Sequence, residues 1–176
     1  MKTRTLGIVI VVIVVAVAAV VAFTAARSSG SSGKSFEGQV IAPTAFKPAA
    51  YTGKPLVINF FGSWCEYCKL EASDLATFAK DNPGAQVVGI ASQDTEKDAG
   101  AFMTQYGLTY PLVVDDGSLT AQYGINGWPT TIFYNATGQE VDRLVGASTL
   151  AQFNASLPRR SDAVRQPLSA RRRTPP

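Results

Sequence analysis

Trp64-Cys65-Glu66-Tyr67-Cys68 holds the only two cysteines of the 176-residue chain. It follows an apolar run of strand composition, Leu56 to Phe61, and precedes a stretch with helical periodicity. The pair is therefore expected at a strand-to-helix turn. Two intervening residues at a helix start bring the sulfurs within bonding reach, and the free N–H groups there favour a thiolate on the first of them. That arrangement suits thiol–disulfide exchange. Two plainer readings compete. Zinc needs about four ligands, and with no His and no further Cys only carboxylates remain to complete a site. A purely structural disulfide closing so short a loop would restrain little of the unfolded chain. A redox-active dithiol is the reading carried forward.

Outward from this stretch, strands and helices alternate. Strand composition marks Gln39–Ile41, Leu56–Phe61, Gln86–Ala91, Leu112–Val114, Thr131–Tyr134 and Val141–Val145. Helices are expected over Glu66–Lys80, stopped by Asn82-Pro83-Gly84, and over Thr95–Tyr106, with Thr95 as cap and Gly107 as stop. A short helix is expected over Ser118–Tyr123 and a last one over Ser148–Leu157. The final two strands, joined through Asn135-Ala136-Thr137-Gly138, predict a hairpin. Alternation first and a hairpin last predict an α/β fold, a mixed central sheet with helices on both faces.

The ends differ from the middle. Residues 34–157 carry seven Lys/Arg against twelve Asp/Glu, a net of −5, whereas the two ends together carry a net of +8. The overall +3 therefore says little about partners, and nothing points to nucleic acid. Thr5 to Ala26 contains no charged residue, and about 22 residues of helix reach about 33 Å, enough for a bilayer core. Residues 1–27 are read as an N-terminal transmembrane signal-anchor. The basic start Met1-Lys2-Thr3-Arg4 favours an N-terminus left in the cytoplasm and a chain exported beyond it. A cleaved signal peptide is the rival, but the apolar core is long and no clean A-x-A ends it. Residues 28–35, including SSGSSGK, read as a flexible linker. Residues 36–157 form the expected domain, and the arginine- and proline-rich residues 158–176 are expected to be disordered.

Three separate stretches resemble the thioredoxin-like superfamily: Val57-Ile58-Asn59-Phe60-Phe61-Gly62-Ser63-Trp64-Cys65, Tyr123-Gly124-Ile125-Asn126-Gly127-Trp128-Pro129-Thr130-Thr131, and Val145-Gly146-Ala147 before the last helix. The resemblance implies a thioredoxin fold. Within the superfamily the chain is most similar to the membrane-anchored TlpA/ResA/CcmG group. The export segment, Asn59 where cytosolic thioredoxins place a buried Asp, and the extra material from Ala91 to Tyr110 point there. ResA-like members read CEPC with a Glu three residues on; here Cys65-Glu66-Tyr67-Cys68 is followed by Glu71, and Tyr67 departs from the Pro.

Chemistry and resemblance together assign roles. Cys65, at the exposed helix start, is expected to attack and Cys68, one turn inside, to resolve the mixed disulfide. Glu71 lies at i+3 from Cys68 and is read either as a proton shuttle for it or as a surface carboxylate. The resemblance implies that Pro129 is cis and packs beside the sulfurs, leaving the Trp128 backbone free to pair with an extended substrate. Trp64, Glu66, Tyr67, Trp128 and Thr130 are the expected substrate contacts; Trp128 either narrows that groove or packs as core. No cofactor and no metal are expected, and the domain is expected to be a monomer.

Glu66 beside Cys65 disfavours its thiolate, Lys69 partly opposes this, and no His is available, so the sequence leans towards a reductant. By resemblance this suits cytochrome c maturation, with apocytochrome c thiols among the protein clients and a CcdA/DsbD-like membrane protein as electron donor. The alternative is an exported oxidase that introduces disulfides into secreted proteins. A peroxiredoxin-type peroxidase needs a P-x-x-x-[TS]-x-x-C pattern that is missing, and copper delivery needs a His. A redox-inert binding module of the same fold remains a third reading.

Overall fold

Leu56–Phe61 is the central strand, β2, and all six residues are buried. Its continuous apolar run is what a strand covered on both faces requires. Val57 and Phe61 pack into one core layer, with Asn59 between them in the alternation, and Leu56, Ile58 and Phe60 pack into the other. The computed structural model describes residues 38–158. The expected membrane span, the linker up to residue 35 and the arginine-rich tail lie outside the described residues, except for Pro158. No helix among the described residues is long and apolar enough to cross a membrane.

Six strands form one mixed sheet: β1 (Val40–Ile41), β2, β3 (Gln86–Ser92), β4 (Leu112–Asp115), β5 (Thr130–Tyr134) and β6 (Glu140–Val145). Their order is β1-β4-β3-β2-β5-β6, parallel from β1 to β2 and antiparallel from β2 through β5 to β6. The expected hairpin is β5–β6. Asn135 closes it by accepting from the Thr137 and Gln139 N–H groups, and Gly138 takes the positive φ of 82° that the turn needs.

Helix α1 (Glu66–Asp81) buries Cys68, Glu71, Ala72, Leu75 and Phe78, a stripe at helical spacing. Asn82 ends it: its side chain donates to the Phe78 carbonyl at 2.9 Å, and Pro83 disfavours a further turn. Helix α2 (Glu96–Gln105) starts one residue after the predicted cap, because Thr95 takes the Asp98 N–H on its hydroxyl. Helix α3 (Ser118–Gln122) is capped by Asp115, which accepts from the Leu119 and Thr120 N–H groups. Helix α4 (Leu150–Ser156) begins two residues later than predicted, since Thr149 and Gln152 form a capping box.

Helices α1, α2 and α4 supply one core layer, with Phe78, Phe102, Met103 and Phe153 against Val57, Phe61 and Phe133. Leu119 of α3 and Phe46, which follows a 3-10 turn at Pro43–Ala45, close the other around Ile58, Phe60, Ile90 and Ile132. Helices thus cover both faces, as the alternation implied. The C-terminal end of β2 and the start of α1 meet at the CxxC, beside the loop that enters β5.

Candidate active site

Cys65 and Cys68 are joined in a disulfide, with their Cα atoms 5.2 Å apart. Cys65 is the N-cap of α1: it takes an extended conformation, and its sulfur accepts the Cys68 N–H at 3.2 Å. One orphan donor of the first helical turn thus faces the first sulfur, where it stabilises a thiolate. Cys65 is the more accessible cysteine, but only 6% exposed against 2% for Cys68. The helix start is not open as the sequence suggested, because both cysteines belong to the core layer against which Trp128 packs.

Two tryptophans flank the sulfurs. Trp64 is 49% exposed and meets the Trp128 ring edge-on, with centroids 5.6 Å apart. Trp128 is half-buried and packs against both core layers, so it serves as core as well as rim. Trp128-Pro129 is a cis bond, in accord with the resemblance. Pro129 O accepts the Gly146 N–H at 2.8 Å, tying this loop to the end of β6. Among the described residues no backbone hydrogen bond within the protein engages Trp128. Thr130 is placed differently from expectation: its side chain is buried and donates to the Gly127 carbonyl at 2.8 Å. It shapes the loop from inside and offers no side chain to a client.

The dipeptide between the cysteines faces outward. Tyr67 is 64% exposed, and Glu66 accepts from Lys69 Nζ at 2.6 Å. This bond raises the Lys69 pKa, and it engages the cation that was expected to favour a thiolate with the carboxylate that opposes one.

Glu71 is 2% exposed, so the surface-carboxylate reading fails. Its Oε1 accepts from Asn59 Nδ2 at 2.9 Å and its Oε2 from the Ser148 N–H at 3.0 Å. Asn59 also donates to Thr131 Oγ1 at 2.9 Å. Burial pushes the carboxyl up to about 7, against the opposing pull of these two donors. A buried acid raised towards neutrality, one turn beyond Cys68 on α1, can hold or release a proton near physiological pH.

A second support went unnoticed in the sequence. Asp94, in the β3–α2 loop, accepts from the Ser63 N–H at 2.6 Å and the Ser63 hydroxyl at 2.9 Å. The Trp64 indole N–H reaches the carbonyl of Ser92, the last residue of β3, at 3.2 Å. Gly62 leaves the room: a Cβ there would lie 2.5 Å from the Trp64 ring. One loop thus holds the turn that presents Cys65.

Known proteins place this geometry. The model of the AhpC/TSA family matches residues 30–140. The chain belongs to the AhpC/TSA family. Soluble secreted antigen MPT53 of Mycobacterium tuberculosis is 36% identical over 107 residues, which are 58% of this chain and 60% of that protein. Thiol-disulfide oxidoreductase ResA of Bacillus subtilis is 32% identical over 100 residues, 55% of this chain and 56% of the relative. The AhpC/TSA-family chain therefore spans about 60% of the length of the first curated relatives it matches. Among solved structures, a secreted Mycobacterium tuberculosis disulfide oxidoreductase superposes with a TM-score of 0.59 at 30% identity, covering 63% of this chain and 85% of its own. A DsbF homologue from Corynebacterium diphtheriae superposes at 0.56 with 28% identity, covering 61% and 73%. These confirm the thioredoxin-like resemblance and the kinship with ResA. Asn59, Thr131, Ser148 and Asp94 are the functional neighbours that reading from sequence left out of the site.

Proposed function

We propose that the chain is a thiol–disulfide oxidoreductase acting on protein clients. The Cys65–Cys68 disulfide, at a helix start and beside the unpaired Trp128 backbone, carries this reading. In the reductive direction the Cys65 thiolate attacks a client disulfide, forming a Cys65–client bond and releasing one client thiolate. The Cys68 thiolate then attacks the Cys65 sulfur, forming the Cys65–Cys68 disulfide and releasing the second. Two electrons pass to the client. An extended client segment pairs with the backbone of Trp128, and Trp64 and Tyr67 contact its flanks. Glu71 takes the proton of Cys68 before the second step and returns it when the pair is reduced again.

We further propose that it works as a reductant on the outer side of the cell membrane, tethered through residues 5–26. Apocytochrome c thiols are the candidate client and a CcdA/DsbD-like membrane protein the candidate donor. The Glu66–Lys69 pair supports this direction, because it removes a free cation from the neighbourhood of Cys65. Buried Glu71 supports it too, since its anion disfavours a nearby thiolate.

The test combines insulin reduction by the full chain with equilibration in dithiol buffers, followed by tryptophan fluorescence. Turnover with a potential at or below about −250 mV supports the reductant. Turnover with a potential near about −120 mV makes it an oxidase of secreted proteins, and no turnover makes it a binding module. Fractionation with intact-mass measurement tests the tether: a soluble chain lacking its first two dozen or so residues overturns it.

A further inference from the structure

Both oxygens of Glu71 face donors, Asn59 Nδ2 at 2.9 Å and the Ser148 N–H at 3.0 Å. This set suits a carboxylate. A proton placed on either bonded lone pair would point one donor at another. The Ser148 donor is backbone and fixed. The Asn59 amide is not: half a turn about χ2 puts Oδ1 where Nδ2 stands and converts a donor into an acceptor of the same shape. Its other partner suits the exchange. Thr131 Oγ1 now accepts from Nδ2 at 2.9 Å, and a hydroxyl that accepts can turn and donate to Oδ1.

We propose that Asn59 is a positioning residue that serves both protonation states of Glu71, donating to the carboxylate and, after an amide flip, accepting from the acid. The proposal rests on the exchange reading above, in which Glu71 takes and returns a proton in each cycle. Fixed donors alone would hold the side chain as an anion, and fixed acceptors alone would hold it as an acid. An amide backed by a hydroxyl offers Glu71 a matching partner in either state, while the flip carries the Asn59 NH2 to the side where Oδ1 makes no hydrogen bond among the described residues. Other titratable groups around Glu71 do not compete for this role. Cys68 is its exchange partner on the same helix, with Cys65 beyond it. Asp74, one turn on, accepts from the Leu150 N–H at 2.9 Å. The Tyr110 phenol, from the segment before β4, keeps its proton because it is buried and senses the Glu71 charge.

The test is NMR on the full, oxidised chain, following the Glu71 carboxyl carbon and the Asn59 side-chain amide from pH 5 to 9. The expected result is a cross-relaxation peak from the Asn59 amide protons to the Thr131 side chain above the Glu71 midpoint, lost below it. Glu71→Gln, which must donate to Asn59 at every pH, should lack that peak throughout. Asn59→Asp, an acceptor only, should raise the Glu71 midpoint by a unit or more, a tenfold gain in proton affinity, and move the pH–rate profile with it. A purely structural role would change the melting temperature and leave both midpoints in place. A peak that persists through the Glu71 midpoint, or a Glu71 carbon that does not titrate in this range, overturns the proposal. Insulin turnover is scored separately, so loss of the exchange reading is distinguishable from loss of the flip.

Discussion

Glu71 shows how one buried residue ties stability to pH. Its carboxyl is raised from an ordinary 4.5 to about 7 by desolvation. Between those values the folded chain keeps a proton that the unfolded chain has released, so stability falls as pH rises. The contribution is fully present below about 4.5, is lost through about 7, and amounts to on the order of 3–4 kcal/mol. Glu71→Gln should flatten this slope in urea titrations at a series of pH values. The same variant should lose the pH dependence of exchange near neutrality. If the Cys68 titration and the exchange rate stay as they were, the proton-transfer role is wrong. Gly62 makes a steric prediction at this scale. A methyl group 2.5 Å from the Trp64 ring cannot be accommodated in place, so Gly62→Ala should push the indole off the Ser92 carbonyl. The expected cost is about 1–3 kcal/mol of stability, with a smaller fluorescence difference between oxidised and reduced chain.

Asp94 belongs to the scale of elements, because it joins the β3–α2 loop to the turn between β2 and α1. Asp94→Ala leaves the Ser63 N–H and hydroxyl without their partner, an expected loss of about 1–3 kcal/mol in denaturant unfolding. Exchange should slow as well, since the turn presenting Cys65 loses its support. Asp94→Asn should cost less, because one amide oxygen still accepts from Ser63. Equal unfolding midpoints for Asp94→Ala and the parent chain would remove the loop from the account. Contacts of this kind explain what the sequence left unread. Each strand and each α-helix among the described residues was legible to within two residues, because the apolar runs, Thr95, Gly107 and Asn82-Pro83 are local signals, whereas the 3-10 turns at Pro43–Ala45 and Pro48–Tyr51 were not read. The cysteines and Pro129 were legible as a spaced motif. Asp94 is 31 positions from Ser63, and no local pattern joins them. Glu71 sits on the edge of the α1 stripe, where one helix cannot say whether a carboxylate faces water. Its burial is decided by Ser148, 77 positions away. Thr130 was misplaced for a similar reason: its inward turn depends on the Gly127 carbonyl within a loop whose path the sequence does not specify.

Direction of electron flow is a property of the whole molecule, because the disulfide's potential and the fold's stability are two sides of one cycle. If folding lowers the potential of the Cys65–Cys68 pair relative to the same pair in the unfolded chain, the oxidised fold must be the more stable one. About 30 mV corresponds to about 1.4 kcal/mol for this two-electron couple. The neighbourhood favours that order. Lys69 is engaged by Glu66, and Glu71 adds a buried acid one turn beyond Cys68 on α1. The acidic excess of residues 34–157 works the same way at longer range, since a net negative field opposes a new thiolate. Opposing these, the Cys68 N–H at the α1 N-cap steadies a Cys65 anion. That is one local donor against several carboxylates, so the oxidised full chain should unfold in urea later than the reduced one. The expected gap is about 1–3 kcal/mol, or about 20–60 mV. Salt narrows only the long-range share of it, because buried Glu71 is poorly screened. A reduced chain more stable than the oxidised one would reverse the sign of the cycle and make the protein a donor of disulfides.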